Sequence, residues 1–186
     1  MRKVLVLFAH PKFEHSEVNQ SLIQAISGLD NIEIRDLYEL YPDFNISIQA
    51  EQEALFEAEV IIWQFPVYWY SCPPLMKQWM DLVLEFSWAY GPRGIYLKGK
   101  YVLNAITTGG SQEAYHHEGK NRYGINEYLR PFEQTARLCQ MEYLTPFHIA
   151  GTHKITDSQL ALKTQSYKKL LLGLRDREDI STFQHS

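Results

Sequence analysis

The stretch VIIWQFP, residues 60–66, decides how the chain is read. It is apolar on both faces, seven residues long and closed by a proline, which describes a strand buried between two layers rather than one that faces water. What flanks it is helical. Residues 49–59 form a polar, helix-forming approach, and Pro73 and Pro74 begin a segment whose Leu75, Met76, Trp79, Leu82, Val83 and Phe86 fall on one helical face. A strand held between helices in this way implies a layered α/β architecture.

Working outward, Val4 to Ala9 is a second continuous apolar run, followed from Ser16 to Leu29 by apolar residues at Val18, Leu22, Ala25, Ile26 and Leu29. Ile32 to Leu37 alternates as a strand. Beyond a glycine-containing loop, YGPRG, Tyr101 to Ile106 makes a fourth strand and a long irregular stretch runs to about Asn126. A helix to about Met141, a strand through LTPFHIA and an amphipathic helix from Asp157 to Leu174 complete the pattern. Alternating strands and helices predict a flavodoxin-like three-layer sandwich, with a five-stranded parallel sheet in the order 2-1-3-4-5 and residues 1–186 forming one domain.

Composition agrees with that reading. The 186 residues are 45% hydrophobic and 22% charged, enough to bury a core, and a net charge of -4 with no basic run argues against nucleic acid as a partner. No apolar run approaches the roughly 18 to 20 residues that span a bilayer. Cys72 and Cys139 stand far apart without a CxxC, which suits a reducing cytoplasm and offers neither a disulfide nor a zinc framework. His10 and His15, or His116 and His117, lack the carboxylate or cysteine that would complete a metal set, so no metal is expected. A Ser-His hydrolase is excluded by the missing G-x-S-x-G turn.

In a sheet of this order, ligands bind beyond the carboxyl ends of the strands where the strand order reverses. Three loops leave those ends. In HPKFEHSEVN, Ser16 can cap the following helix, whose free N–H groups and positive dipole end suit a phosphate, with His10, Ser16, Glu17, Val18 and Asn19 at hand. The loop has no glycine, so it is neither a GxGxxG turn nor a P-loop. In the second loop, Pro66, Val67, Tyr68, Trp69 and Tyr70 could pack a flat heteroaromatic ring, since exposed aromatics require a reason. In the third, Thr107, Thr108, Gly109 and Gly110 put little bulk between backbone and ligand, and Tyr115 and His117 follow as groups able to share protons. Together these describe a site for a molecule like flavin mononucleotide.

The motifs AHP with SEVN, DLYELYPDFNI, WQFPVYWYSCPPLMKQWMD, WAYG and TTGG occur in an order and spacing that cover most of the chain. In them the sequence resembles the NAD(P)H:quinone oxidoreductases of the DT-diaphorase type, most closely the small bacterial relatives that serve as ancillary subunits of glutathione-gated potassium-efflux antiporters. The resemblance implies a homodimer holding FMN rather than FAD, with flavin contacts at His10, Ser16 to Asn19, Val67 to Tyr70 and Thr107 to Gly110. It implies two-electron, ping-pong hydride transfer from NAD(P)H through the flavin to a quinone, with Tyr115 assisting. The family's partner histidine would fall at Asn121, which leaves His117 as the nearby substitute. A second reading is a regulatory subunit that docks on a potassium antiporter, with catalysis secondary. Either places the protein in the cytoplasm, held at the inner face of the membrane only where a protein partner holds it.

Overall fold

The computed structural model describes residues 1–176. Its elements run β1 (Val4–Phe8), α1 (Glu17–Ile26), β2 (Ile32–Asp36), α2 (Leu37–Leu40), α3 (Ile48–Glu57), β3 (Val60–Pro66), α4 (Pro74–Val83), β4 (Tyr101–Thr107), α5 (Ile125–Tyr128), α6 (Arg130–Leu138), β5 (Glu142–Tyr143), β6 (Phe147–Ile149) and α7 (Asp157–Arg175). All strand pairs are parallel, in the order β2-β1-β3-β4-β5 with β6 also on β4. This is the predicted flavodoxin-like sheet, with the order reversing between β1 and β3.

Strand alternation divides the core in two. Leu5, Leu7, Ile61, Trp63 and Phe65 face α3, α4 and α6, while Val4, Val6, Phe8, Val60 and Ile62 face α1 and α7. Each such side chain taken out of water contributes about 1.5–3 kcal/mol. Because β1 and β3 are buried on both faces, their runs carry no polar interruption until Gln64.

Five boundaries differ from the sequence reading. The second strand stops at Asp36, whose carboxylate accepts from the N–H groups of Tyr38 and Glu39 and starts α2. Helix α1 ends at Ile26 ahead of Gly28, which takes φ +74°. Helix α4 ends at Val83, so Phe86 lies beyond it and is exposed, and Leu82 is also partly exposed. The fifth strand is split into β5 and β6 around Leu144, Thr145 and Pro146, since proline has no N–H for a ladder. The helix expected from Asn126 to Met141 is likewise two, α5 and α6, separated at Leu129.

One buried charge holds the α3 side together. Glu51 is fully buried and accepts from Arg35 Nη2 at 2.6 Å, Tyr41 Oη at 2.6 Å and Trp79 Nε1 at 2.9 Å. Its carboxylate thus ties α3 to β2, to α4 and to Tyr41 just beyond α2. Cys139 is buried, Cys72 half-buried, and both thiols are free.

Candidate functional site

Ser16 ends a 3-10 turn (Phe13–His15) and caps α1, so the sheet edge at β1 presents the start of a helix to the reversal point. Its Oγ accepts from Asn19 N at 3.4 Å and from Asn19 Nδ2 at 3.0 Å. With both lone pairs engaged, the hydroxyl proton is left to donate outward. The first-turn N–H groups of α1 have no intrahelical acceptor and point the same way.

Asn19 belongs to a buried run. Tyr167 Oη on α7 donates to Gln64 Oε1 at 2.7 Å, Gln64 Nε2 to Asn19 Oδ1 at 3.3 Å, and Asn19 Nδ2 to Ser16 Oγ and, at 3.3 Å, to Thr107 Oγ1. Every donor in it points toward the sheet edge. Asn19 itself is 1% exposed, so the structure places it behind Ser16, as support rather than lining.

In front of Ser16 lies a cleft of about 470 Å³. It is lined by His10, Ser16, Glu17, Val18, Pro66, Val67, Tyr68, Thr107 and Gly109, all expected from the sequence, and by Lys12, His15, Thr152 and His153. A second cavity of about 370 Å³, beside Leu129, Tyr143 and Pro146, lies away from these loops. His10 is nearly buried and its Nδ1 accepts from Lys12 N at 3.1 Å, which assigns the proton to Nε2. Burial lowers its pKa, partly opposed by Glu14, so the ring is neutral near pH 7.

Trp69, Tyr70, Thr108 and Gly110 do not line this cleft. Trp69 and Tyr70 form a two-residue hairpin turn, closed by reciprocal 3.0 Å bonds between Tyr68 and Ser71. Both central residues take positive φ, +48° and +64°, where Asn-Gly is usual and an ordinary side chain is strained. The turn leaves Trp69 93% exposed and stacks Tyr70 on Tyr128, with ring centroids 4.9 Å apart.

The TTGG segment is fixed to the loop after β6. Thr108 N bonds Ile149 O, Gly151 N bonds Gly110 O and Thr152 N bonds Thr108 O, at 2.8 to 3.1 Å. The two glycines are bare for a nearer reason than a ligand. A Cβ on Gly109 would sit 2.7 Å from His153 Nε2, and one on Gly110 would sit 3.1 Å from the Tyr115 ring.

Tyr115 packs edge-on against Tyr128 and His148, and burial raises its pKa, opposed by hydrogen bonds with Thr108 and Asn121. It keeps its proton at neutral pH. The structure does not bring His117 to this group: its side chain is exposed and points to Glu127, 3.9 Å away. His148, which the sequence reading passed over, is the imidazole beside Tyr115.

A doubly wound sheet with an anion-ready helix start, a neutral imidazole donor and an aromatic wall at its reversal point defines a flavodoxin-like fold with a cleft where such sheets bind ligands. A family model described as a flavodoxin-like fold matches residues 2–171, and the chain belongs to that family, Flavodoxin_2. It is 43% identical over 173 residues, 93% of this chain and 97% of the relative, to the glutathione-regulated potassium-efflux system ancillary protein KefF of Salmonella typhimurium. Among solved structures, the general stress protein 14 of Treponema denticola in complex with FMN superposes with a TM-score of 0.89 at 35% identity, covering 92% of this chain and 99% of that one. An NADPH-quinone reductase from P. pentosaceus superposes at 0.83 with 28% identity, covering 90% and 96%. The family resemblance read from the motifs is thereby borne out.

Proposed function

We propose that the protein is an FMN-dependent NAD(P)H:quinone oxidoreductase. The observation that carries this is the Ser16 hydroxyl, whose acceptor sites are filled from behind so that only its proton faces the cleft. Donors without competing acceptors suit a phosphate dianion, and Lys12 adds charge at the same wall. FMN is favoured over FAD by a cleft within the range for one small ligand and by the FMN named in the Treponema structure.

Bound there, FMN supplies the chemistry of accepting a hydride from a nicotinamide and delivering it to a quinone. The chain supplies the rest. Ser16 and the first turn of α1 hold the phosphate, and His10 offers a neutral Nε2–H without adding a cation. Tyr68 gives one aromatic wall of the cleft. Tyr115, protonated and half-exposed beside Asn121, can hydrogen-bond a substrate oxygen and lend a proton as charge develops on it. His117 acts here only if its loop rearranges, and Asn19 acts through Ser16.

The second reading, an ancillary subunit docking on a potassium/proton antiporter with catalysis secondary, is favoured by the match to KefF over nearly its full length. Among the described residues no helix is long and apolar enough to cross a membrane, so such a role would go through protein contact. The purified protein, loaded with FMN, is expected to be bleached by NADH or NADPH and recoloured by a quinone. Failure to take up FMN at all would sink the enzyme reading, while a flavoprotein inert to both nicotinamides would favour the docking subunit.

A further inference from the structure

His148 stands on β6 opposite Ile106 of β4, and its ring meets the Tyr115 ring edge-on at 5.9 Å. Its Nε2 lies 2.9 Å from Thr108 Oγ1, and that hydroxyl also lies 3.0 Å from Gly110 O. A hydroxyl has one proton, and a carbonyl oxygen can only accept. With the Thr108 proton on Gly110 O, the bond to the imidazole must run from Nε2–H to Oγ1, which leaves the second lone pair of Oγ1 free on the side of the Tyr115 phenol, whose hydroxyl would lie 3.4 Å from a Cβ on Gly110 and whose ionised form Thr108 favours. The other ring nitrogen, Nδ1, is buried with no partner. This tautomer leaves it a bare lone pair, where the alternative would bury an unpaired N–H, the rarer defect.

We propose that His148 is a positioning residue for Tyr115, acting through the Thr108 hydroxyl. Its bearing on turnover rests on the quinone-reductase reading, whereas the linkage itself rests on geometry alone. When the Tyr115 proton passes to a substrate oxygen, the electron pair stays on the phenolate. Thr108 O–H can then turn from Gly110 O to the phenolate, since Gly110 O keeps the Gly151 N–H at 2.8 Å. His148 keeps its proton throughout and goes on donating to Oγ1, and solvent later returns a proton to Tyr115. The groups facing Tyr115 are Tyr70, Tyr128, Asn121, Thr108 and His148, and Lys163 of α7 bears on His148. Burial, helped by Lys163, keeps the His148 ring neutral from about pH 5 upward, so a titration seen at alkaline pH belongs to the phenol.

The test uses the purified full-length protein with fluorotyrosine incorporated, the Tyr115 signal being identified among the 12 tyrosines by its loss in Tyr115→Phe. His148→Leu removes the N–H and is expected to move the Tyr115 titration upward, and His148→Gln, which restores an N–H at similar reach, to bring it back. A nitrogen-15 spectrum is expected to show His148 as the Nε2–H tautomer. An Nδ1–H tautomer, or a Tyr115 titration identical in wild type and His148→Leu, overturns the proposal. Should His148→Leu fail to fold, Thr108→Val against Thr108→Ser reads the same link. The titration requires no turnover, so a linked pair in a protein that cannot reduce quinones would retire the enzyme reading and leave the linkage standing.

Discussion

At the residue scale, the strongest commitments fall on Ser16, Gly109 and His148. Ser16→Ala removes a donor aimed at a dianion, and hydrogen bonds to charged groups are worth about 1.5–3 kcal/mol, so FMN affinity is expected to fall at least tenfold in a fluorescence titration. Riboflavin, which lacks the phosphate, should be unaffected by the same change. Gly109→Ala would drive a Cβ into His153, and is expected to weaken FMN binding in a way that His153→Ala partly repairs. His148, with its pKa lowered from 6.5 to about 4 by burial, binds a proton more readily unfolded than folded. Stability therefore falls as pH drops from about 6.5 to about 4, by up to about 3 kcal/mol from this group. Urea denaturation across that window should show a shallower loss in His148→Gln. Much of this site was legible in the sequence, because Ser16 before a periodic helix and TTGG after a buried strand are local signals. Thr152, His153 and His148 were not. Their stretch, HIAGTHK, looks like any strand end, and only the pairing of β6 with β4 brings it to the cleft. Extending the reversal-point argument to the loop after the last strand would have found the first two.

At the scale of elements, two features trade stability in opposite directions. The Glu51 carboxylate joins three buried or half-buried donors, and Glu51→Ala would leave Arg35 with no buried acid to answer it. A loss of about 3–5 kcal/mol is expected in chemical denaturation, with little direct effect on a cleft formed elsewhere. The hairpin at Trp69 and Tyr70 works the other way. Trp69 is too exposed to gain from packing, so Trp69→Asn relieves a left-handed conformation costing about 1–2 kcal/mol and should raise the melting temperature. At Tyr70 the relief from glycine is offset by the lost stack on Tyr128, about 0.5–1.5 kcal/mol, and Tyr70→Gly should be near neutral. If Trp69→Asn is stabilised yet handles nicotinamide or quinone poorly, the strain is held for ligand; if steady-state kinetics do not change, it is not. The long apolar runs of β1 and β3 make the architecture legible in the sequence. The break of the fifth strand was also written in the sequence, as Pro146, but a proline within an apolar run reads as a strand end as easily as an interruption.

At the scale of the molecule, the apolar residues left outside both cores matter. Phe56 and Tyr96 are exposed and meet edge-on, with Trp88 stacked on Tyr96. If the homodimer implied by the family resemblance uses this patch, Phe56→Asp should shift sedimentation toward a single chain, and an unchanged mass would remove the patch from the interface. Ligand and fold are also coupled: FMN at 100 times its dissociation constant should add about 2.7 kcal/mol to global stability. The run from Tyr167 through Gln64 and Asn19 to Ser16 gives that coupling a sense of direction. Amides can present either end, and the buried Tyr167 hydroxyl, which finds its acceptor in Gln64 Oε1, favours the orientation in which Gln64 turns its nitrogen toward Asn19. Without it, both amides could reverse and Ser16 would give its proton backward, showing lone pairs to the cleft. The preference for an anion at the mouth of the sheet would then be weakened from a helix on the far side of the run, so that the polarity Ser16 shows to the cleft is set in part by α7.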